Sequence, residues 1–437
     1  MGSEHLRSLL LAKSTGSRMI GFIAASVVLV ALALALSSCG SEEAGESRNA
    51  EVQVGTVMPV SGDLSAFGPS AQRAIDLAFE LVNEAGGVNG GQISAIHRDS
   101  GTNEQIGTDS ASGLVNVDGV NILIAAHSSG VTIAIAESVT IPAGVLHLSV
   151  GSSSKAITAL ADNDMVFRTR VNDFVKSQAL SSLAEALGYK RVSTTYINNA
   201  YGASLNESFV ENFERTGGEV TAAVAHELGQ ASYIAELRDA AKDEPEVLVT
   251  IAYPDSGQTL LREAAESGIY DEFMFVDVTK NQTMFDAIGG NHFEGDFGVS
   301  PGNPQSTAVE DFRRIYEERT GGDPNQQLIA EAFDGAIVIA LAIEKAGSDD
   351  PVAVRDALRP VSNPPGEIVG PGDIARALDL VREGKEINYV GAAGDIDFDE
   401  NGDVVSGMRV WKIEDNQIVD TDIYAFPGDD IDLSSVR

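Results

Sequence analysis

The chain reads as an α/β protein built from two tandem units, each a parallel sheet wrapped in helices. Three observations lead there. Strand-like and helix-like segments alternate from about Glu51 onward. Several strand-like segments, such as "VNILIAA" and "VLVTIA", are apolar throughout, which suits strands covered on both faces. The alternation runs once to about Asn172 and then restarts without a long linker.

The elements follow in order. Val52 to Val57 is a strand that ends in a Pro-Val-Ser-Gly turn. Pro69 to Glu84 is a helix: Pro69 suits its first turn, and Ala71, Ile75, Ala78, Phe79 and Val82 share one face. Gly86-Gly87 stops it. A strand at Ile93 to His97 and a helix at Glu104 to Val115 come next. The apolar strand Val120 to Ala125, the helix Val131 to Val139 and a strand at Gly144 to Leu148 complete the first unit. The second opens with the helix Phe174 to Leu187. Strands at Arg191 to Ile197, Val220 to Ala225, Val247 to Ala252 and Phe273 to Val276 alternate with helices at Ala203 to Arg215, Tyr233 to Ala241 and Gly257 to Glu266. Helices at Ala308 to Arg319 and Ala330 to Ala346 follow. Asp395 to Ile423 then alternates like antiparallel strands.

The composition, 43% apolar and 22% charged, is that of an ordinary globular protein. The formal net charge of -36 is not ordinary. It opposes binding to nucleic acid, whose phosphates require a basic surface, and peripheral binding to anionic lipid. It suits solubility in a salty or exposed environment.

The first 38 residues differ from the rest. Arg7, Lys13 and Arg18 face only Glu4, and Gly21 to Leu36 is an unbroken run of apolar or small residues. The run is shorter than the roughly 20 residues of a membrane span. A basic lead, a short apolar run and small residues at its end describe a secretory signal peptide. It ends in Leu36-Ser37-Ser38-Cys39, which resembles a bacterial lipobox, and Cys39 is the only cysteine in the chain. The thiolate is the nucleophile that accepts the lipid. Residues 1–38 are therefore expected to be a lipoprotein signal peptide, and Cys39 the lipidated first residue of the mature chain. An uncleaved membrane anchor is the other reading. Residues 39–50, rich in Ser, Glu and Gly, bury nothing and read as a flexible tether.

The signatures of catalysis are absent from the sequence. There is no G-x-S-x-G elbow, no H-E-x-x-H and no G-x-x-x-x-G-K-[ST] loop. "GGVNGG" follows a helix rather than a strand, so it is a turn and not a dinucleotide fingerprint. The six histidines are scattered. His127 and His147 sit near predicted strand ends, where they meet as a metal pair or serve as ordinary packing or polar lining. "DFDENGDVVSGM" starts like a calcium loop but has Met408 where Glu belongs. A tight hairpin turn at Asn401-Gly402 is the preferred reading. No enzyme, no metal and no cofactor is expected.

Four segments in the right order carry a resemblance. "VGTVMPVSGDLSAFGPSAQRAIDLAFELVNEAGGVNG" has Pro59-x-Ser61-Gly62, Gly68, Asn83 and Gly86-Gly87-x-x-Gly90. "INNAYGASL", "AYPDSGQTLLREAAESGI" and "YVGAAGDIDFDENGDV" follow. Together they resemble the type I periplasmic substrate-binding proteins of ABC importers, in the branched-chain amino acid and amide-binding, leucine-binding-protein-like family. The resemblance implies two Rossmann-like lobes with parallel central sheets, joined by three crossover strands near Phe167–Asn172, Gly295–Pro301 and Gly394–Asp399. Lobe 1 would be residues 51–171 plus 300–394. Lobe 2 would be 172–299 plus 395–425, and 426–437 a C-terminal tail. The ligand would lie between the lobes, at the carboxyl ends of strands.

The resemblance also implies the site, residue by residue. Phe67 takes the place of a family aromatic, often tyrosine, that covers the ligand side chain. Ser128 and Ser129 would hold a carboxylate at a helix N-terminus, with Ser152 and Ser153 as the other half of that clamp. Plain capping or loop roles are the alternatives. Tyr201 and Tyr253 would close over the ligand from lobe 2, and Asp277 would receive its ammonium. The implied function is an extracytoplasmic, membrane-anchored solute-binding lipoprotein. It would be a monomer that captures an amino acid or related amide by hinge closure and hands it to an ABC permease. A ligand-binding component of a sensory system is the alternative. On this reading Asp277→Ala should abolish binding of amine ligands and leave the melting temperature near that of the wild type.

Overall fold

The computed structural model describes residues 51–289, 291–302 and 304–436. The expected signal peptide, Cys39 and the tether lie outside the described residues. The first sheet holds β1 (Val52–Met58), β2 (Ile93–Asp99), β3 (Ile122–Ala125), β4 (Leu146–Ser149) and β5 (Val166–Arg168), all parallel, in the order β2-β1-β3-β4-β5. Alternation along β3 divides its side chains between two cores. Ile122 and Ile124 join one cluster with the helices Gly68–Glu84 and Ile329–Ala346. Leu123 and Ala125 join another with Ala111, Val131 and Ile135 on the opposite face. This two-sided cover is why the strand carries no polar residue.

The helix Ile329–Ala346 is buried along almost its whole length, so it is apolar nearly all round. It backs closely onto β4. A Cβ added at Gly335 would meet Val150 and Leu148 at 2.9 and 3.0 Å, so only glycine lets the helix sit there.

The second sheet holds β6 (Arg191–Ile197), β7 (Glu219–His226), β8 (Val247–Ile251), β9 (Phe273–Phe275) and β10 (Phe297–Pro301). A small two-stranded sheet, β11 (Glu367–Val369) with β12 (Ile387–Tyr389), lies apart. The second sheet is completed by β13 (Met408–Glu414) and β14 (Gln417–Ala425), in the order β14-β13-β10-β9-β8-β6-β7. Its five central and distal strands are parallel. The hairpin β13-β14 joins antiparallel to β10. Trp411 of β13 is fully buried and stacks on Phe275 at 5.6 Å between ring centres.

The last crossing departs from the expected boundary at 395. Ile396, Phe398 and Val404 belong to the core of the first sheet, and the chain reaches the second sheet only with β13. The expected antiparallel pattern over Asp395 to Ile423 is confined to β13 and β14. Their turn is Asp415-Asn416, both at positive φ, rather than Asn401-Gly402. Asn401-Gly402 is a tight turn of another kind. The Asp399 carboxylate accepts from the backbone of Asn401 and Asp403, which folds the loop back onto β5. The segment expected to be a tail is tied down, since Ile431 and Leu433 are buried against the second sheet's core.

What pins that loop is an ion pair. Arg168 is fully buried, and its guanidinium grips the Asp403 carboxylate at 2.5 and 2.7 Å. The Arg168 amide donates to the Gly402 carbonyl at 2.9 Å, and the third guanidinium nitrogen donates to the Ser154 carbonyl at 2.8 Å. The first and third crossings are thus held side by side. Removing one partner leaves an uncompensated buried charge. Asp403→Ala should cost about 3–5 kcal/mol of unfolding free energy, read from the denaturant midpoint.

Asp296 tests burial in the second sheet. It is buried, and one carboxylate oxygen accepts from the Phe273 amide at 3.0 Å. Burial, with Glu272 adding repulsion, pushes its pKa up to about 8. A carboxyl raised in the folded state contributes most at low pH, and that contribution is lost as pH rises towards 8. Asp296→Asn keeps the acceptor and removes the proton. The variant should lose the wild type's decline in melting temperature between the ordinary carboxylate range and pH 8, with the gain largest at pH 8.

Candidate functional site

The carboxyl ends of β3 and β4 present two serine-bearing loops to the second sheet. In the first, Ser128 precedes the short helix Ser129–Ile135. Its hydroxyl lies near that of Tyr253, which the Asn199 amide reaches at 3.4 Å. Burial pushes the Tyr253 hydroxyl up to about 12, so it stays a neutral donor and acceptor. Ser129 looks inward instead: its hydroxyl accepts from the Ser153 and Ser154 amides, both at 3.2 Å. Ser152 is also turned inward. It shares a 2.7 Å bond with Thr132 and donates to the carbonyls of Ala126 and His127. The four serines expected to form a clamp therefore divide into two pairs. Ser129 and Ser152 brace the loops, while Ser128 and Ser153 meet the second lobe.

The aromatic residues come together as expected from their motif positions. Phe67, Tyr201 and Tyr253 are buried in one apolar cluster with Leu64 and Leu328. Tyr201 and Tyr253 stack, 5.7 Å between ring centres and 10° from parallel. Phe67 also borders an open cleft of about 640 Å³ whose walls include Lys280, Arg313, Arg409 and Asp420.

Asp277 is not free. Lys176 Nζ lies 2.6 Å from one of its oxygens, and Arg170 Nη2 lies 2.6 Å from the same oxygen. The Tyr201 hydroxyl donates to the other oxygen at 3.1 Å. Burial alone would raise the Asp277 carboxyl, but Lys176 and Arg170 override it and hold it below the usual carboxylate range. Arg170 also bonds Glu331 at the start of the helix Ile329–Ala346. Lys176 donates to the Ser153 hydroxyl at 2.8 Å and sits 3.8 Å from Asp173, whose carboxyl burial raises. This network touches both lobes and the first crossing between them.

Sequence reading passed over Arg170, Lys176, Glu331 and Asp173. One signal was available. Asn172 caps the helix Asp173–Leu187, so Lys176 lies in its first turn, where the helix dipole disfavours a cation. A lysine placed there against the field has a partner elsewhere, here Asp277. His127 and His147 do not form a metal pair. His147 bonds the Ala125 carbonyl and Thr140, and burial lowers it to about 4. His127 is lowered to about 3 by burial and by Arg170, and neither ring nitrogen has a partner among the described residues. Among the described residues no three His, Cys, Asp or Glu side chains gather at a metal-sized site. Nor is any helix among them long and apolar enough to cross a membrane.

Two α/β lobes with hydroxyls, aromatic rings and paired charges gathered between them define a two-lobed protein of the periplasmic-binding architecture. A family model described as periplasmic binding protein matches residues 51–417, and the chain belongs to that family, in its leucine-binding-protein-like type I branch. It is 27% identical over 376 residues to the chemotactic signal transduction system substrate-binding protein BasB of Halobacterium salinarum, covering 83% of this chain and 87% of that one. It is 25% identical to a leucine-, isoleucine-, valine-, threonine- and alanine-binding protein of Pseudomonas aeruginosa, covering 70% and 82%. The leucine binding protein LivK of Thermotoga maritima superposes with a TM-score of 0.74 at 22% identity, covering 86% of this chain and 99% of that one. The fold is thus that of a two-lobed solute-binding protein, and its relatives are binding proteins rather than enzymes.

The occupied state of Asp277 reverses one expectation. Asp277→Ala would strip a shared partner from two buried cations, and breaking a buried pair costs about 3–5 kcal/mol. The melting temperature of that variant should fall well below the wild type's. A melting temperature within a degree or so of wild type would overturn the pairing described here.

Proposed function

We propose that this chain is an extracytoplasmic solute-binding lipoprotein, anchored through Cys39, that captures a small carboxylate- or amide-bearing solute between its lobes and delivers it to an ABC permease. Amino acids of the branched-chain type and related amides are the solutes to which the family resemblance points. The observation that carries the reading is a set of contacts between the lobes at the expected ligand positions. Ser128 meets Tyr253, Ser153 meets Lys176, and the Lys155 amide donates to Ser204 at 3.0 Å. Such contacts are the parts of a hinge-closing trap. Solute would enter the open form and favour closure by touching both lobes at once. The lobe boundaries, the monomeric state and the roles of Phe67, Ser128, Ser153, Tyr201, Tyr253 and Asp277 belong to this proposal. A second reading, the ligand-binding part of a sensory system, is favoured by the similarity to a chemotactic substrate-binding protein.

A solute that binds only the folded state raises the melting temperature by mass action. The full-length chain in detergent should shift upward with one class among amino acids, amides, short peptides and small carboxylates, and with no member of a nucleotide or sugar control set. A uniform absence of shift would remove the solute-binding reading of this cleft. For the anchor, the mature chain should begin at Cys39 with the mass of a diacylglycerol on that residue, and Cys39→Ser should carry no lipid mass. A wild-type chain whose Cys39 peptide has the unmodified mass would overturn lipidation at Cys39.

A further inference from the structure

Lys176 makes the contacts that a bound amino acid's ammonium would make. Its Nζ is 2.6 Å from an Asp277 oxygen, 2.8 Å from the Ser153 hydroxyl and 5.3 Å from the centre of the Tyr201 ring. A carboxylate, a hydroxyl and an aromatic face converging on one point are the recognition set of a primary ammonium. The side chain is 3% exposed, so the lysine supplies this ammonium from inside the cleft. Arg170 takes up more of the same carboxylate.

A second ammonium, arriving on a ligand, would meet two cations already gathered on Asp277. In a desolvated site that repulsion is severe, and the newcomer would have to displace Lys176. The unused polar atoms nearby favour the opposite charge. The Arg170 Nε–H and the His127 ring nitrogens are buried without a partner among the described residues. His127 stays neutral, so it offers one N–H alongside one acceptor nitrogen. A guanidinium N–H and an imidazole N–H, each without a partner among the described residues, both suit the oxygens of an anion.

From this geometry we infer that the cleft takes a small organic acid without an amino group, and that Lys176 is the residue that excludes amino acids. The inference rests on the solute-binding reading above and narrows it. Removing the lysine head would reopen the ammonium position on Asp277, which Arg170 keeps paired in the variant.

The test uses matched pairs that differ only by the amine: leucine with 4-methylpentanoate, phenylalanine with 3-phenylpropanoate, and glutamate with glutarate. Each is added to the full-length chain in detergent and read by thermal shift and calorimetry. The wild type should respond to the acids and not to their amino partners. Lys176→Ala should shift the affinity ratio towards the amino acid by about 10-fold or more in at least one pair. Ethylammonium should raise the melting temperature of Lys176→Ala and leave that of the wild type unchanged. Lys176→Gln, which keeps a donor without the charge, should change the ratio in the same direction and guards against a folding defect in the alanine variant. An amino acid that binds the wild type as tightly as its deaminated partner overturns the inference and keeps the solute-binding reading. No response to any pair overturns the inference, while a response to an amide or peptide in the wider panel keeps the solute-binding reading.

Discussion

A buried guanidinium must find anions wherever the chain can supply them, and two arginines in one short segment impose that demand here. Arg168 and Arg170 leave the end of β5 fully buried. Their partners come from distant parts of the sequence: Asp403 from the loop that precedes β13, Glu331 from the helix Ile329–Ala346, and Asp277 from the turn after β9. Satisfying both arginines brings the loop, the helix and the second sheet to the place where the chain passes between lobes. A lone desolvated charge is costly, so an arrangement that leaves either arginine unpaired is disfavoured.

The same demand links hinge and cleft. Asp277 meets Arg170 on the crossing, Lys176 on the first helix of the second lobe and Tyr201 on the next helix. Tyr201 stacks on Tyr253, and Tyr253 meets Ser128 across the cleft. The aromatic wall and the serine loop are thereby set by a charge network that begins at the hinge. The apolar cores under each sheet supply the bulk of the driving force. The paired charges fix which surface of each sheet faces the other.

Most of the fold was legible in the sequence because it rests on periodicity. The apolar strand Ile122–Ala125 and the helix face of Ala71, Ile75 and Val82 announce themselves by spacing alone. The third crossing did not, because its path depends on Asp403 reaching Arg168 across most of the chain, and no local pattern encodes such a contact. The Asn401-Gly402 pair gave a true turn signal but not the partner strand. The site was legible only as far as motif positions carry. The aromatic trio gathered in one cluster, yet Ser129 and Ser152 turned inward to their own loops, a choice of side-chain rotamer that sequence does not encode. Lys176 and Arg170 escaped notice because an isolated basic residue in a sequence looks like surface.

Arg170 is shared between lobes: Glu331 stands on one side of the hinge and Asp277 on the other. Any motion that parts the lobes draws those two carboxylates away from each other, and the guanidinium can follow only one. On the proposed hinge-closing reading the empty protein would carry a latch, and its strength would set how often the unloaded cleft stands ajar. Solute would meet only that ajar fraction, so its apparent affinity would be the intrinsic affinity scaled by the latch. A partner that reads the closed outline would also meet a standing background from chains that hold nothing. On that reading capture, release and false signal would all be governed by the strength of one arginine's grip at the hinge.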